Sequence, residues 1–192
     1  MKSTKIITLI FLLASNLILA QERVYLTYSD FRINKSIVAD PNTFTVGEFS
    51  FDLSLKFSGK EMKWEWDKVW GYVYDKGFYR SIKTSDNHPA RVGCIGNYVL
   101  YALSGVKINP RSGGQFPYTH YYISKGIDGI CIRVDDPATL EKAVKEHPEF
   151  KEIAELVKKN PGKGVQSVIG DFIKKSKEYK PLDKIVTGVI QE

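Results

Sequence analysis

The sequence predicts an α+β fold: an antiparallel β-sheet, half-barrel or sandwich-like, followed by two or three C-terminal helices packed on it. Three observations carry this. Phe51, Leu53, Leu55 and Phe57 alternate with polar residues, the period of a half-buried strand. The 10 Phe, 11 Tyr and 3 Trp favour pleated layers over a helical bundle. After Val134 the apolar spacing changes to every third or fourth residue, which is helical.

Residues 1–20 hold Lys2 and Lys5, then an apolar run from Ile6 to Ala14, and end on Ala20 before Gln21-Glu22-Arg23. A charged start, an apolar core and a small terminal residue form the layout of a signal peptide. The run is too short for a bilayer span, which takes about 20 apolar residues. The expectation is removal of 1–20 and a single exported domain over 21–192, periplasmic or secreted. No cysteine stands at the cleavage point, which excludes lipid attachment there; the two are Cys94 and Cys131. No later stretch spans a membrane by its composition. The formal charge of +6 includes Lys2 and Lys5, so the mature chain is only mildly basic. Its richest cluster, Lys174-Lys175-Ser176-Lys177, reads as a solvated helix end, and no nucleic acid is expected as a partner.

Within the domain, 22–135 is the β-rich part. Thr27 or Ser29 caps a short helical turn, with Asp30 at its positive end. Asn34-Lys35-Ser36 has the form of a glycosylation acceptor, a pattern frequent by chance. Residues 49–57 form a strand, and Gly47-Glu48 marks a bulge before it. Ser58-Gly59-Lys60 turns the chain into one long strand over 62–74, carrying Met62, Trp64, Trp66, Trp70, Tyr72 and Tyr74 at even positions. Asp75-Lys76-Gly77 is a hairpin turn, with Gly77 in the left-handed region, and 78–82 returns as its partner. Ser85-Asp86-Asn87-His88 is a polar turn. Further strands are expected at 91–95, 98–103, 118–124 and 129–134. Residues 104–117 are rich in Gly, Pro and Ser and read as a long loop, a recognition surface carried by the sheet.

The helical part covers 136–180. Asp135-Asp136-Pro137 has an acid cap and a proline for the first turn. Leu140, Ala143 and Val144 form one stripe; Phe150, Ile153, Ala154 and Val157 a second; Val165, Val168, Ile169, Phe172 and Ile173 a third. Residues 181–192 are a tail or final strand, with Ile185 to Ile190 as its apolar run.

The block Trp64–Arg80, the Tyr25–Phe31 opening and the lysine-rich helices after Asp136 resemble segments of small exported proteins of Bacteroidota, uncharacterised as a family. The resemblance implies an envelope or secreted setting. It brings no activity and no site residues.

Four constellations are candidates for chemistry. Trp64, Trp66, Trp70 and Tyr72 either form core or line a pocket for a sugar or apolar ligand. Cys94 and Cys131 either form a disulfide, closing a loop of about 38 residues worth roughly 4 kcal/mol, or are small buried thiols. Cys94 with His120 has the residue types of a cysteine hydrolase, without the helix N-terminus that lowers a thiol pKa. His88, His120 and His147 lack metal-ligand spacing, so no metal and no cofactor is expected. Gly113-Gly114 and Gly162-Lys163-Gly164 lack the framing of phosphate loops. The functional expectation is a non-catalytic exported protein that acts by binding an envelope or extracellular partner, with a small-ligand binder as the alternative and a cysteine hydrolase as a third class.

Overall fold

Of the two caps the sequence offers, Thr27 opens the first helix, in a capping box: its hydroxyl accepts from the Asp30 amide, and the Asp30 carboxylate accepts from the Thr27 amide. The structure, a computed structural model, describes residues 21–47, 52–82, 89–111 and 113–187. The expected signal peptide, Phe49 to Phe51, Glu48, the Ser85–His88 turn and Gly188 to Ile190 lie outside the described residues.

The β-part begins with β1 (Arg23–Tyr25), α1 (Tyr28–Arg32), β2 (Ile37–Val38), β3 (Thr45–Val46), β4 (Asp52–Phe57) and β5 (Lys60–Glu65). A 3₁₀ turn at Trp66–Lys68 leads into β6 (Gly71–Tyr74) and β7 (Gly77–Ser81). It continues through β8 (Pro89–Ile95), β9 (Tyr98–Ile108), β10 (Gln115–Lys125) and β11 (Cys131–Arg133). The helices are α2 (Pro137–Glu146), α3 (Lys151–Lys158), α4 (Val165–Lys174) and α5 (Leu182–Val186). Eight strands form one antiparallel sheet in the order β11-β10-β9-β8-β7-β6-β1-β2, and β3-β4-β5 form a small second sheet. The fold class is the α+β one expected.

Strand alternation divides the large sheet into two faces. On one, Leu100, Ile123 and Ile132 meet the apolar stripes of α2, α3 and α4. At the far end of that face, Val24 and Tyr72 pack beneath the small sheet, against Leu53, Leu55 and Trp66. The opposite face carries Val73, Val92, Tyr101 and Tyr122, covered by Phe31 of α1 and by Ile185 and Val186 of α5. The first and last described elements meet there: the buried Arg23 guanidinium donates to the Val186 carbonyl, 163 residues away.

Four expectations need correction. The stretch 62–74 is two strands in different sheets, because the Trp66 turn carries the chain from the small sheet to the large one. At the β6–β7 hairpin the left-handed residues are Asp75 (φ 43°) and Lys76 (φ 57°), while Gly77 pairs with Tyr74. Gly77 is needed for space instead: a Cβ there would sit 2.7 Å from the Tyr79 ring. Residues 104–117 are mostly strand, since β9 and β10 run eleven residues each and leave a turn between Ile108 and Gln115. The described part of the expected 185–190 strand is helix, because Leu182, Ile185 and Val186 share a helical face that packs on the sheet.

A candidate ligand-binding groove

The chain segment that crosses between the sheets also opens a groove. The Tyr25 carbonyl of β1 accepts the Trp70 amide at 3.1 Å, and the Trp70 carbonyl accepts the Ser81 amide at 3.0 Å. The Ser81 hydroxyl donates to the Trp66 carbonyl at 3.1 Å, tying the 3₁₀ turn to the end of β7. Between these backbone ties lies a cavity of about 430 Å³, lined by Leu26, Thr27, Trp66, Asp67, Val69, Trp70, Ser81 and Ile82. Trp66 and Val69 belong to the core under the small sheet; Trp70 and Ile82 belong to the opposite face of the large one. The groove is therefore the seam between two cores.

Its aromatic walls are packed against further rings. Trp66 is 3% exposed and stacks on Tyr72, with centroids 5.6 Å apart. Tyr72 in turn stacks on Tyr79 at 4.9 Å and 6°. Trp70 packs on Phe31 at 4.8 Å and Tyr28 at 5.4 Å, and its indole N–H donates to Asp128 at 2.8 Å. Thr27, Asp67 and Ser81 are the polar residues of the lining, the Thr27 hydroxyl engaged in the α1 cap and that of Ser81 in its bond to Trp66. Of the four residues expected as a binding set, Trp66 and Trp70 line the groove. Tyr72 stands behind Trp66, buried, where desolvation pushes its phenol pKa upward. Trp64 lies in the small sheet, paired with Leu53.

Sequence reasoning missed Arg80, which sits behind Trp70. Its guanidinium is buried beside the aromatic cluster, 5.8 Å from the Trp70 ring centroid and 5.7 Å from that of Tyr101. It donates to the Tyr101 hydroxyl at 2.8 Å and to the Gly129 carbonyl at 3.3 Å, and Asp128 stands 3.6 Å away. Burial pushes the Tyr101 phenol pKa up to about 12, against the lowering effect of the Arg80 charge. The sequence signal is an arginine in phase with two apolar neighbours in alternation, Phe78 and Ile82.

Of the two alternatives for the cysteines, the bridge is not formed; both are free. Cys94 pairs with Leu100 on the face covered by α2, α3 and α4, whereas Cys131 packs against the core on the other. Their strands are separated by β9 and β10, about 14 Å at ordinary strand spacing. A disulfide needs Cα atoms about 4.4–6.8 Å apart. The same alternation parts Cys94 from His120, which lies opposite Leu103 on the other face of the sheet. Burial holds the Cys94 thiol up at about 11, the reverse of an activated nucleophile. His120 instead places Nδ1 2.8 Å from Asp135 and 2.7 Å from Arg133, fastening β10 to the chain that leaves β11. Among the described residues no three His, Cys, Asp or Glu side chains gather as a metal site, and no helix is long and apolar enough to cross a membrane.

Compared with known proteins, the chain matches no family model, no curated protein and no solved structure.

Proposed function

We propose that this is an exported, non-catalytic binding protein whose ligand is a small molecule with an apolar or sugar-ring face, held in the Trp66–Trp70 groove. The observation that carries the reading is the groove itself. Its volume of about 430 Å³ falls in the range of about 300–1,000 Å³ common to small-molecule sites, and such sites pair apolar walls with a few placed polar groups. Leu26, Val69, Ile82 and the two indoles are the walls; Thr27, Asp67 and Ser81 are the polar groups. Because Trp66 and Trp70 are braced from behind by Tyr72, Phe31 and Tyr28, the walls are in place before a ligand arrives. Binding is favoured over cysteine hydrolysis because Cys94 and His120 face opposite sides of the sheet. Export rests on the charge and apolar pattern of residues 1–20 and on the resemblance to exported Bacteroidota proteins.

Thermal-shift screening against glycans, sterols and fatty acids tests this, followed by a tryptophan-fluorescence titration of any hit. A ligand at a hundredfold its Kd adds about 2.7 kcal/mol, or a rise of about 5–10 °C in Tm for a domain of this size. Trp70→Phe is expected to weaken the hit by about tenfold, through the lost indole surface. A flat screen across all three classes, or a hit whose affinity and fluorescence response ignore Trp70→Phe, counts against the groove.

A further inference from the structure

The β9–β10 hairpin extends beyond the sheet that anchors it. β8 pairs with β9 between Val99 and Ala102, and β11 pairs with β10 between Tyr122 and Ser124. Among the described residues, the stretch from Gly105 to Ile108 and its partner from Gln115 to Tyr118 pair with each other alone. The arm turns at Asn109, whose carbonyl and side-chain oxygens accept from the Gly113 and Arg111 amides.

Large apolar side chains stand in water along this arm: Val106 is 58% exposed, Ile108 64% and Phe116 56%. They point to both sides of the ribbon. Val106, Ile108 and Pro117 occupy one face, and Phe116 and Tyr118 the other. The charges along it are of one sign. The chain carries no acid from Tyr98 to Ile127, and Lys107 and Arg111 are exposed at the tip. The Lys107 ammonium lies 5.0 Å from the centroid of the Tyr118 ring, with the aromatic and the cation on the same side.

We propose that the β9–β10 arm is an anchor for anionic lipid surfaces, bedding Val106, Ile108 and Phe116 in the headgroup layer while Lys107 and Arg111 meet lipid phosphates. Two features select this occupant. Exposed apolar side chains stand on both faces of the ribbon, as suits an element immersed in one surrounding medium. Exposed apolar groups beside unopposed cations match the two attractions of an acidic bilayer, apolar burial and surface charge. The outer edges of the arm still carry backbone N–H and C=O groups, which hydrocarbon would leave unsatisfied, so insertion stops where water remains. The anchor is independent of the groove.

Co-sedimentation of the purified protein with large unilamellar vesicles tests it, using phosphatidylcholine alone and an equimolar mixture with phosphatidylglycerol. The expected result is pelleting with the mixture, and binding about tenfold weaker or less to phosphatidylcholine, since each surface cation adds to the anionic preference. Ile108→Ser with Phe116→Ser is expected to cut binding to the mixture by about tenfold or more. Lys107→Gln with Arg111→Gln is expected to remove the preference between the two vesicles. All four side chains are exposed, so each double variant should keep the parental Tm; the groove variant Trp70→Phe should pellet like the parent. No pelleting with either vesicle overturns the proposal, as does a serine double variant that pellets unchanged. Capture by poly-L-glutamate or duplex DNA without capture by vesicles assigns the arm to a macromolecular polyanion and overturns it too.

Discussion

Arg80 is a cation enclosed by two aromatic rings, a tyrosine hydroxyl and a carbonyl, with one half-exposed carboxylate at its edge. Its hydrogen bonds and its carboxylate neighbour differ in worth. The bonds to Tyr101 and Gly129 are charge-assisted and shielded from water, a class worth about 1.5–3 kcal/mol. The Asp128 contact is long and partly solvated, so screening reduces it to about 0–1 kcal/mol. Urea unfolding should therefore show Arg80→Met losing about 2 kcal/mol, whereas Asp128→Asn loses less than about 1 kcal/mol. Equal losses would mean that Asp128, rather than the enclosed hydrogen bonds, holds the guanidinium in place. Because Arg80 also backs Trp70, the methionine variant is expected to loosen the groove wall as well.

At the scale of elements, caps and periods were readable and tertiary choices were not. Thr27, one of two candidates, and Asp136, of the acid pair before Pro137, cap their helices. The three stripes after Pro137 became α2, the α3 segment and α4. The stretch 62–74 failed because an even-numbered aromatic stripe suits one strand or two, and only the burial of Trp66 between the sheets decides. The arm failed because Ser104, Gly105 and Pro117 have loop composition, yet each is opposite a partner that supplies the pairing. Ile185-Val186-Thr187 is β-branched and reads as strand, but packing of Leu182, Ile185 and Val186 overrides that propensity. The groove was half legible: tryptophans named two of its walls, while Leu26, Thr27 and Ile82 arrive from distant segments. One cap makes a pH prediction. The Thr139 amide and hydroxyl hold the Asp136 carboxyl below its ordinary pKa. A folded-state pKa below the unfolded one gives stability that is present above the ordinary aspartate range and lost as pH falls through the depressed value. Tm should therefore fall less between neutral and strongly acidic pH in Asp136→Asn than in the parent. Identical acid limbs would remove Asp136 from the account.

Across the whole molecule, one sheet serves three apolar cores among the described residues, two on one face and one on the other. That partition governs the thiols. Cys94 is 2% exposed, and burial raises the pKa of both cysteines. Intact mass should be the same with and without reductant, and alkylation by iodoacetamide at neutral pH should be slow until urea unfolds the chain. Loss of two hydrogens in the unreduced sample, or rapid labelling of Cys94 in the native protein, contradicts this arrangement of faces.

The contact between Arg23 and the Val186 carbonyl sets an order of events. A chain still emerging from the ribosome has β1 but lacks the acceptor for that guanidinium. That tie between β1 and α5 closes only once α5 has docked, so among the described contacts it belongs to those that form late in synthesis.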